Sequence, residues 1–521
     1  MLLYATDLVV TVGARTLLKT EKLEVHDGDR IGLIGKNGVG KTTLFKVLAG
    51  IVPAESGKIK RYAQVEYVPQ LKRQDVEKSG GEITQQYIQT AFSKQSGVLL
   101  SDEPTTHLDT KNIEWVENTL NHWQGAFIVI SHDRTFLDHV CNVIWEIEDE
   151  TINIYPGNYS KYKQLKEQQE EQAWAEYEKY IAKKKQLERA LRLKTDKAAR
   201  ATKKPKQTSQ SEAKITGAKP YFAKKQKKLH QAAKAMESRI EKLEKTEKPF
   251  EEPPLKMELP NEAKMKNRTI VQVNELEGKI GSRLLWNPVS FSIQAGEKVA
   301  IVGNNGTGKT TLINKILRRE DGVKVSPVCQ TGYFRQDLSL LDEDRSILDN
   351  VMEGSKQSET MIRTVLARLH FRRDDVYKKV KVLSGGERVK VALAKIFVSD
   401  SNTLVLDEPT NFLDIEAMEA LEKLLIDYEG TLLFVSHDRM FVEKIANKIL
   451  EIKDQQIIIR DSFNVESKEV EEVGSRDEQL LVIETKITDV LSRLSMEPSP
   501  ELEEEFQRLV QEKKKLLEGK K

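Results

Sequence analysis

The sequence predicts an α/β protein: two similar P-loop domains joined by a long antiparallel α-helical hairpin, with a C-terminal helical extension. Three observations carry this expectation. A phosphate-loop motif occurs twice, each time between an apolar strand and a helix. Strand-end carboxylates and histidines follow each copy at matching offsets. Between the two halves lies a block whose charge is unlike the rest of the chain.

At 521 residues, 39% hydrophobic and 31% charged, the chain has room for two or three domains, each with its own core. It holds no run of about 18 or more apolar residues, and its start, MLLYATDLVV, reads as a strand. Neither a membrane span nor a secretion signal is therefore expected. Cys141 and Cys329 fall in different halves without metal-ligand spacing, the pattern of core cysteines in a reduced, cytoplasmic protein.

In chain order, residues 8–12, 22–25 and 30–34 alternate or run apolar as strands. The last enters Gly35, Asn37, Gly38, Gly40, Lys41, Thr42 and Thr43, in the pattern G-x-x-x-x-G-K-T before a helix over 44–49. Glycines let successive backbone N–H groups converge on phosphate oxygens. Lys41 would reach the β- and γ-phosphates and Thr42 would ligate Mg²⁺. Residues 298–302 lead in the same way to Gly303, Asn305, Gly306, Gly308, Lys309, Thr310 and Thr311.

Residues 98–103 and 404–408 are buried-strand runs ending in Asp102-Glu103 and Asp407-Glu408. The first carboxylate of each pair suits Mg²⁺; the second can orient or deprotonate an attacking water. Two further strands end at His132 and His437, each 29 residues after Glu103 or Glu408. A lone strand-end histidine is more often structural, and the equal offset favours a functional role. Ser79-Gly80-Gly81-Glu82 and Ser384-Gly385-Gly386-Glu387 each lie 24 residues before the same glutamates. Ser and two glycines at a helix start make a second anion cradle, suited to a nucleotide approached from the opposite side.

Between the halves, residues 181–230 carry 17 Lys+Arg against 3 Asp+Glu, a local +14 in a chain of net charge +2, leaving −12 elsewhere. Such a block faces a polyanion, and nucleic acid is favoured over a merely solvated helix pair. Ala173, Tyr177, Tyr180, Leu187 and Leu191 step at helical spacing on one arm, as do Leu229, Ala233, Met236, Ile240 and Leu243 on the other. Pro205, Gly217 and Pro220 bracket a tip near 204–222. About 40 helical residues would project on the order of 60 Å. Beyond Asp461, Leu480, Ile483, Ile487 and Leu491 form one amphipathic stripe, and Leu502, Phe506, Leu509 and Val510 a second.

Together these motifs resemble ATP-binding cassettes, and two cassettes joined by a basic helical hairpin resemble the ABC-F proteins, which act on ribosomes. Residues 102–109 (Asp-Glu-Pro-Thr-Thr-His-Leu-Asp) and 407–414 (Asp-Glu-Pro-Thr-Asn-Phe-Leu-Asp) fit that family closely. The resemblance covers essentially the whole chain. It implies two ABC-type (P-loop NTPase) nucleotide-binding domains with ATP and Mg²⁺ as cofactors. It also implies Q-loop glutamines at Gln70 and Gln336 reaching the metal, D-loop aspartates at Asp109 and Asp414, and switch histidines at His132 and His437. Domains are expected at 1–160, 161–260 (linker), 261–462 and 463–521.

From Gln336 to Ser384 is 48 residues, but from Gln70 to Ser79 only 9, so the first half has lost most of its helical subdomain. With the tip and the C-terminal extension, this is most similar to the Vga-type antibiotic-resistance branch, which protects ribosomes from lincosamides, pleuromutilins and streptogramin A. The resemblance implies a monomer pairing its own cassettes, with the 70S ribosome (23S rRNA and P-site tRNA) as partner, and neither membrane nor DNA. Lys214, Ile215, Thr216, Gly217, Ala218, Lys219, Tyr221 and Phe222 would form the ribosome-contacting tip. Competing readings are a translation factor without a drug role and the ATPase component of a transporter, against which the basic linker argues. Lys78 stands where the first signature ordinarily has Leu, and Glu replaces the more general Gln at 82 and 387. Cassettes often stack adenine on an early aromatic residue; residues 9–14 and 279–282 offer none, leaving Tyr4 as the candidate.

Overall fold

The computed structural model describes residues 1–13, 15–70, 87–91, 97–106, 108–200, 227–228, 231–232, 234–240, 268–335, 340–461 and 506. The chain divides into two compact units, Met1–Ala446 with Leu450–Ile458, and Asn447–Ile449 with Ile459–Lys521. Of the second, only residues 447–449, strand residues 459–461 and the half-buried, helical Phe506 are described.

The first half runs β1 (Leu3–Val12), β2 (Arg15–Val25), β3 (Arg30–Gly35), α1 (Lys41–Ala49), β4 (Ser56–Arg61), β5 (Val65–Val68), β6 (Val98–Asp102), α2 (Thr110–Asn121), β7 (Ala126–Ile130), α3 (Arg134–Val140), β8 (Val143–Glu148) and β9 (Thr151–Pro156). Strands β2-β1-β4 form an antiparallel sheet; a second sheet has the order β5-β6-β7-β3-β8-β9, antiparallel only at β8–β9. Every residue of β6 and β7 is buried, which is why they read as unbroken apolar runs rather than alternating ones. Leu44, Phe45 and Leu48 of α1 close one core with Leu33, Leu100 and Ile128.

Because β3, β6 and β7 are mutually parallel, the loop after β3, the carboxylates ending β6 and the histidine after β7 leave the sheet at one edge. That carboxyl-end crevice is where open α/β sheets bind ligands. The sheet order, in other words, assembles the site.

The arm α4 (Tyr159–Arg200) spans 42 residues, about 63 Å at 1.5 Å per residue. Ala173, Tyr177, Tyr180, Leu187 and Leu191 are all half-buried along it, and so is Lys184. On the returning arm residues 234–240 are helical, with Met236 and Ile240 half-buried. Leu229, Ala233 and Leu243, the tip at 204–222, and the amphipathic stripes beyond 461 apart from Phe506 lie outside the described residues.

The second half repeats the first: β10 (Thr269–Ile280), β11 (Arg283–Gln294), β12 (Lys298–Gly303), α5 (Lys309–Arg318), β13 (Val323–Val325), β14 (Thr331–Phe334), α6 (Ile347–Met352), α7 (Glu359–Arg368), α8 (Gly385–Phe397), β15 (Thr403–Asp407), α9 (Ile415–Asp427), β16 (Thr431–Val435), α10 (Arg439–Ile445), β17 (Lys448–Lys453) and β18 (Gln456–Asp461). Its sheets, β11-β10-β13 and β14-β15-β16-β12-β17-β18, match the first half strand for strand. The difference lies between β14 and β15, where α6, α7 and α8 stand; between β5 and β6 the described helix is residues 87–91. Among the described residues, no helix is long and apolar enough to cross a membrane.

Candidate functional site: facing nucleotide cradles

Each phosphate loop is a tight reversal between a buried strand and a helix start. Gly35 and Gly303 leave their strands at φ 145° and 153°. A Cβ there would lie 2.8 Å from the Ile147 carbonyl oxygen or 2.6 Å from that of Ile452, so only glycine lets the loop fold back on the sheet. The loop crowns at Gly38 and Gly306 face open space. Lys41 Nζ donates to the Gly35 and Lys36 carbonyls at 2.6 and 3.1 Å, and Lys309 Nζ to those of Gly303 and Asn304 at 2.9 and 3.1 Å. Each ammonium is thus held at the centre of its loop. Burial lowers both lysines, opposed for Lys41 chiefly by Glu103 and Asp414 and for Lys309 by Glu408 and Asp407.

The hydroxyls after the lysines meet the first strand-end carboxylates. Thr42 Oγ1 donates to Asp102 at 2.8 Å, and Thr310 Oγ1 to Asp407 at 3.4 Å. Among the described residues no group of three or more His, Cys, Asp or Glu is placed to hold a metal unaided. An ion held by one hydroxyl, one carboxylate and the phosphates themselves is the usual Mg²⁺ arrangement, so these residues fit the ion together with a nucleotide.

Glu103 and Glu408 sit in the left-handed region, φ 51° and 52°. That conformation costs a non-glycine residue about 1–3 kcal/mol and clusters at functional sites. It turns each side chain out of strand order toward the following histidine, with His132 Nε2 3.4 Å from Glu103 Oε1 and His437 Nε2 3.2 Å from Glu408 Oε1. Burial pushes Glu103 up to about 8 and Glu408 up to about 7, and lowers His132 to about 3 and His437 to about 4. The histidines are therefore neutral near pH 7, and each glutamate is poised near neutrality, where a general base is most effective. Thr105 with Ser131 (3.1 Å) and Thr410 with Ser436 (3.2 Å) brace the two histidine loops identically.

The two halves meet across these loops. Asn37 N donates to Asp414 Oδ2 at 3.0 Å, and Asn37 Nδ2 to the Phe412 carbonyl at 3.0 Å. Asp414 also caps α9 by accepting from Ala417 N at 2.9 Å, and Asp109 caps α2 through Asn112 N at 3.1 Å. The Asp109 charge acts in turn on Lys309 and His437. A cavity of about 1270 Å³ runs between the halves. Its lining includes Asn37, Gly38, Gly40, Lys41, Thr42, Thr43, Gln70, Asp102, Glu103 and His132, with Ser384, Gly385 and Gly386 of the other half. Asn305, Gly306, Gly308, Lys309, Thr310, Thr311, Asp407, Glu408 and His437 line it too.

Two expected ligands are placed differently. The Glu387 carboxylate accepts from Ser384 N (2.8 Å) and Ser384 Oγ (2.7 Å) in a capping box. It serves the start of α8 rather than the cavity, because a carboxylate three residues into a helix satisfies the N-cap N–H. Tyr4, the adenine candidate, sits mid-strand opposite Glu24 and Lys60 and does not line the cavity. Ser79, Gly80, Gly81, Glu82, Gln336 and the eight tip residues lie outside the described residues.

Residues 18–78 and 286–411 match the family described as ABC transporter. "Ribosome protection protein VmlR" of Bacillus subtilis (strain 168) is 33% identical over 549 residues, covering 98% of this chain and 97% of that protein. The chain belongs to the ABC-F family. "Erythromycin resistance ATP-binding protein MsrA" of Staphylococcus epidermidis is 35% identical over 475 residues, 84% of this chain and 95% of that protein. The solved structure "RNase-L Inhibitor" shares the fold at 18% identity, with a TM-score of 0.57, over 85% of this chain and 87% of that one.

Within this ABC-F protein, two functional positions escaped sequence reasoning. Arg134 follows the switch loop of the first cassette and is fully buried against the second, where it bonds Glu422 and, at 3.1 Å, Asp438. Arg335 lines the cavity beside Asp407, whose pKa its charge lowers against the upward push of burial. Pro69 precedes Gln70 as Arg335 precedes Gln336; that adjacency to the Q-loop was the available signal. For Arg134 the sequence held none, since its partners lie on the other cassette.

Proposed function

We propose that this protein is a cytoplasmic, monomeric ATPase that binds the 70S ribosome at its tRNA exit site and uses the linker arm to displace antibiotics from the peptidyl-transferase centre. The observation that carries this reading is a long arm, rooted beside two cassettes whose phosphate loops face each other across one cavity. The names of the two relatives support the ribosome and resistance parts.

In this reading the cassettes pair head to tail and form two composite sites. Site one combines residues 35–43, Gln70, Asp102, Glu103 and His132 with Ser384, Gly385 and Gly386; site two combines 303–311, Gln336, Asp407, Glu408 and His437 with 79–82. Backbone N–H groups of each loop and the buried lysine bind the β- and γ-phosphates. Mg²⁺, held by Thr42 and Asp102 or Thr310 and Asp407 with the Q-loop glutamines, would neutralise charge on those phosphates. The glutamate takes a proton from water as the water oxygen bonds to the γ-phosphorus; the bond to the β–γ bridging oxygen breaks and ADP leaves. Losing the γ-phosphate removes contacts that join the cassettes, so hydrolysis releases the closed state.

Lysines along the arms contact rRNA and tRNA phosphates, and residues 214–222 shift P-site tRNA and nearby rRNA to expel lincosamides, pleuromutilins or streptogramin A. In vitro translation with lincomycin or tiamulin tests this, with the intact chain and with one whose residues 205–220 are replaced by a Gly/Ser turn. Rescue by the intact chain alone is expected. No rescue, with ribosome binding intact, would make it a translation factor; no ribosome binding at all would overturn the reading. The double variant E103Q/E408Q should co-sediment with ribosomes in ATP, and its failure to do so would sink the closure step.

A further inference from the structure

Helix α9 of the second cassette carries carboxylates that receive successive parts of the first. At its start Asp414 holds the Asn37 amide, and Glu416 pairs with Lys36 of the same phosphate loop at 3.3 Å. Glu419 and Glu422 follow at steps of three, on the same helix face. Glu419 accepts from Tyr159 and Lys163 at the root of the arm, and Glu422 from Arg134, the first residue of α3. Only Asp133 separates Arg134 from His132, and that stretch has little slack. Asp133 caps α3 by accepting from Phe136 N at 3.0 Å and donates its own N–H to Ser131 Oγ at 3.1 Å. The Arg134 guanidinium is fully buried, and its charge reaches Tyr159, opposing the upward push of burial and Glu419 on that hydroxyl. Its Nε and Nη1 have no hydrogen-bond partner among the described residues, so donors remain for a second arrangement of the same acceptors. The first cassette does not repeat this pattern. At the offsets of Glu416, Glu419 and Glu422 from Glu408, α2 carries Lys111, Glu114 and Glu117, and Asn304 stands where Lys36 does, so the Lys36–Glu416 pair has no counterpart. Glu114 takes the partly exposed Arg439, and Glu117 takes His139 of its own cassette.

We propose that Arg134 is a positioning residue through which the first nucleotide site, and not the second, sets the arm. This rests on the ATPase reading above and specifies which of the two sites moves the linker. Loss of the γ-phosphate at site one frees the His132 loop, and Arg134, two residues along, moves with it. The guanidinium cannot simply let go, because a lone buried charge is strongly disfavoured. It pivots on Asp438, whose other oxygen is committed to Phe441 N at 2.9 Å, and either draws Glu422 along or changes its donors. Packed contacts of this kind have discrete arrangements rather than a continuous range. Glu422 passes the displacement to α9, whose neighbouring turn holds the arm through Glu419. The Arg439–Glu114 pair can separate into water at little cost, so the second site has no equivalent grip.

The test isolates each site in the full chain and reads the arm directly. Spin labels on Leu193 of the arm and Ile51 of the first cassette, both exposed, report the arm distance while phosphate release is followed in parallel. E408Q leaves site one to turn over, and E103Q leaves site two. The distance should shift between the ATP-bound state and turnover in E408Q and stay fixed in E103Q. R134M, of similar length and without donors, should erase the shift in E408Q while phosphate release persists with its KM unchanged. A part that is only structural would instead lower release at both sites and leave the shift in place. Should R134M not fold, R134A/E422A, which removes both partners, carries the same test. Equal shifts in E408Q and E103Q, or a shift that survives the loss of Arg134, would overturn the proposal. Phosphate release by no chain, the parent included, would overturn the ATPase reading, and the arm distance in ATP against ADP would then decide. A difference that R134M erases would support the link; no difference in the parent, or one that R134M leaves intact, would end it.

Discussion

Glu103 and Glu408 combine a left-handed backbone, a largely buried side chain and a histidine within 3.4 Å. Their raised pKa values, about 8 and about 7, set the pH response. With the carboxylate as the proposed base, hydrolysis should rise with pH through 7 to 8 and level off above. E103Q should abolish turnover at its site, a loss of about 10²–10⁴ in rate, and remove the limb near pH 8 while leaving the one near 7. The linkage to stability has the opposite sign. Glu103 holds its proton more tightly folded than unfolded, so its contribution is full below the ordinary value of 4.5 and is lost as pH rises through about 8. Denaturant titrations should therefore show E103Q gaining on the parent between pH 5 and pH 9; no change in the gap would mean Glu103 is not raised. These glutamates were legible in the sequence because phosphate chemistry demands fixed residue types at fixed spacing. Glu387 was read as a ligand because a capping box and a phosphate cradle use the same Ser-x-x-Glu pattern, and only the geometry separates them.

Elements were legible where one period governs them. The stripe on α4 repeats at helical spacing, and the half-buried positions follow it through Lys184. Strand β1 was expected at 8–12 and begins at Leu3. Its pairing with β4 breaks between Thr6 and Val9, and Asp7 has φ 48°; such a bulge resets the alternation on which strand reading depends. The root of α4 was not legible, because its partners are distant in sequence. Tyr162 donates to Glu146 at 2.7 Å and Lys166 pairs with Glu146 and Glu148, each at 2.8 Å, which ties the arm to the first cassette. Tyr159 (3.2 Å) and Lys163 (2.8 and 2.7 Å) both bond Glu419, on the helix that Asp414 caps against the opposite phosphate loop. Cassette pairing and arm direction thus share α9. The Lys163–Glu419 pair is partly exposed and contributes at most about 1 kcal/mol to stability, so K163E should fold and hydrolyse ATP. Spin labels on Leu193 and Ile426, both exposed, should report a broadened arm distance in K163E and its recovery in K163E/E419K. An unchanged distribution would show that the arm takes its direction elsewhere.

At the scale of the whole molecule, two repeats that match strand for strand meet through ion pairs that do not match. That cassettes would pair was legible, because each half carries a phosphate loop and a signature that need an opposite partner. Which contact is buried was not, because burial is decided by both surfaces together. Arg134 is fully buried between Glu422 and Asp438, and Glu422 also takes Lys444 at 2.9 Å. The corresponding Arg439 stays partly exposed on Glu114 at 3.0 Å, while Glu117 takes His139 at 3.2 Å. Removing one member of a buried pair leaves an uncompensated charge and costs about 3–5 kcal/mol, whereas an exposed pair is worth about 0–1 kcal/mol. R134A should therefore destabilise the paired cassettes severely and R439A hardly at all, although the two arginines occupy equivalent positions. Because Arg134 and Glu422 share one interaction, R134A/E422A should cost far less than the sum of the single changes, read as midpoints of chemical unfolding. Equal losses from R134A and R439A would mean that the interface is symmetric in energy, and the buried arginine would then be an incidental feature of the packing rather than the point at which the two halves are fastened.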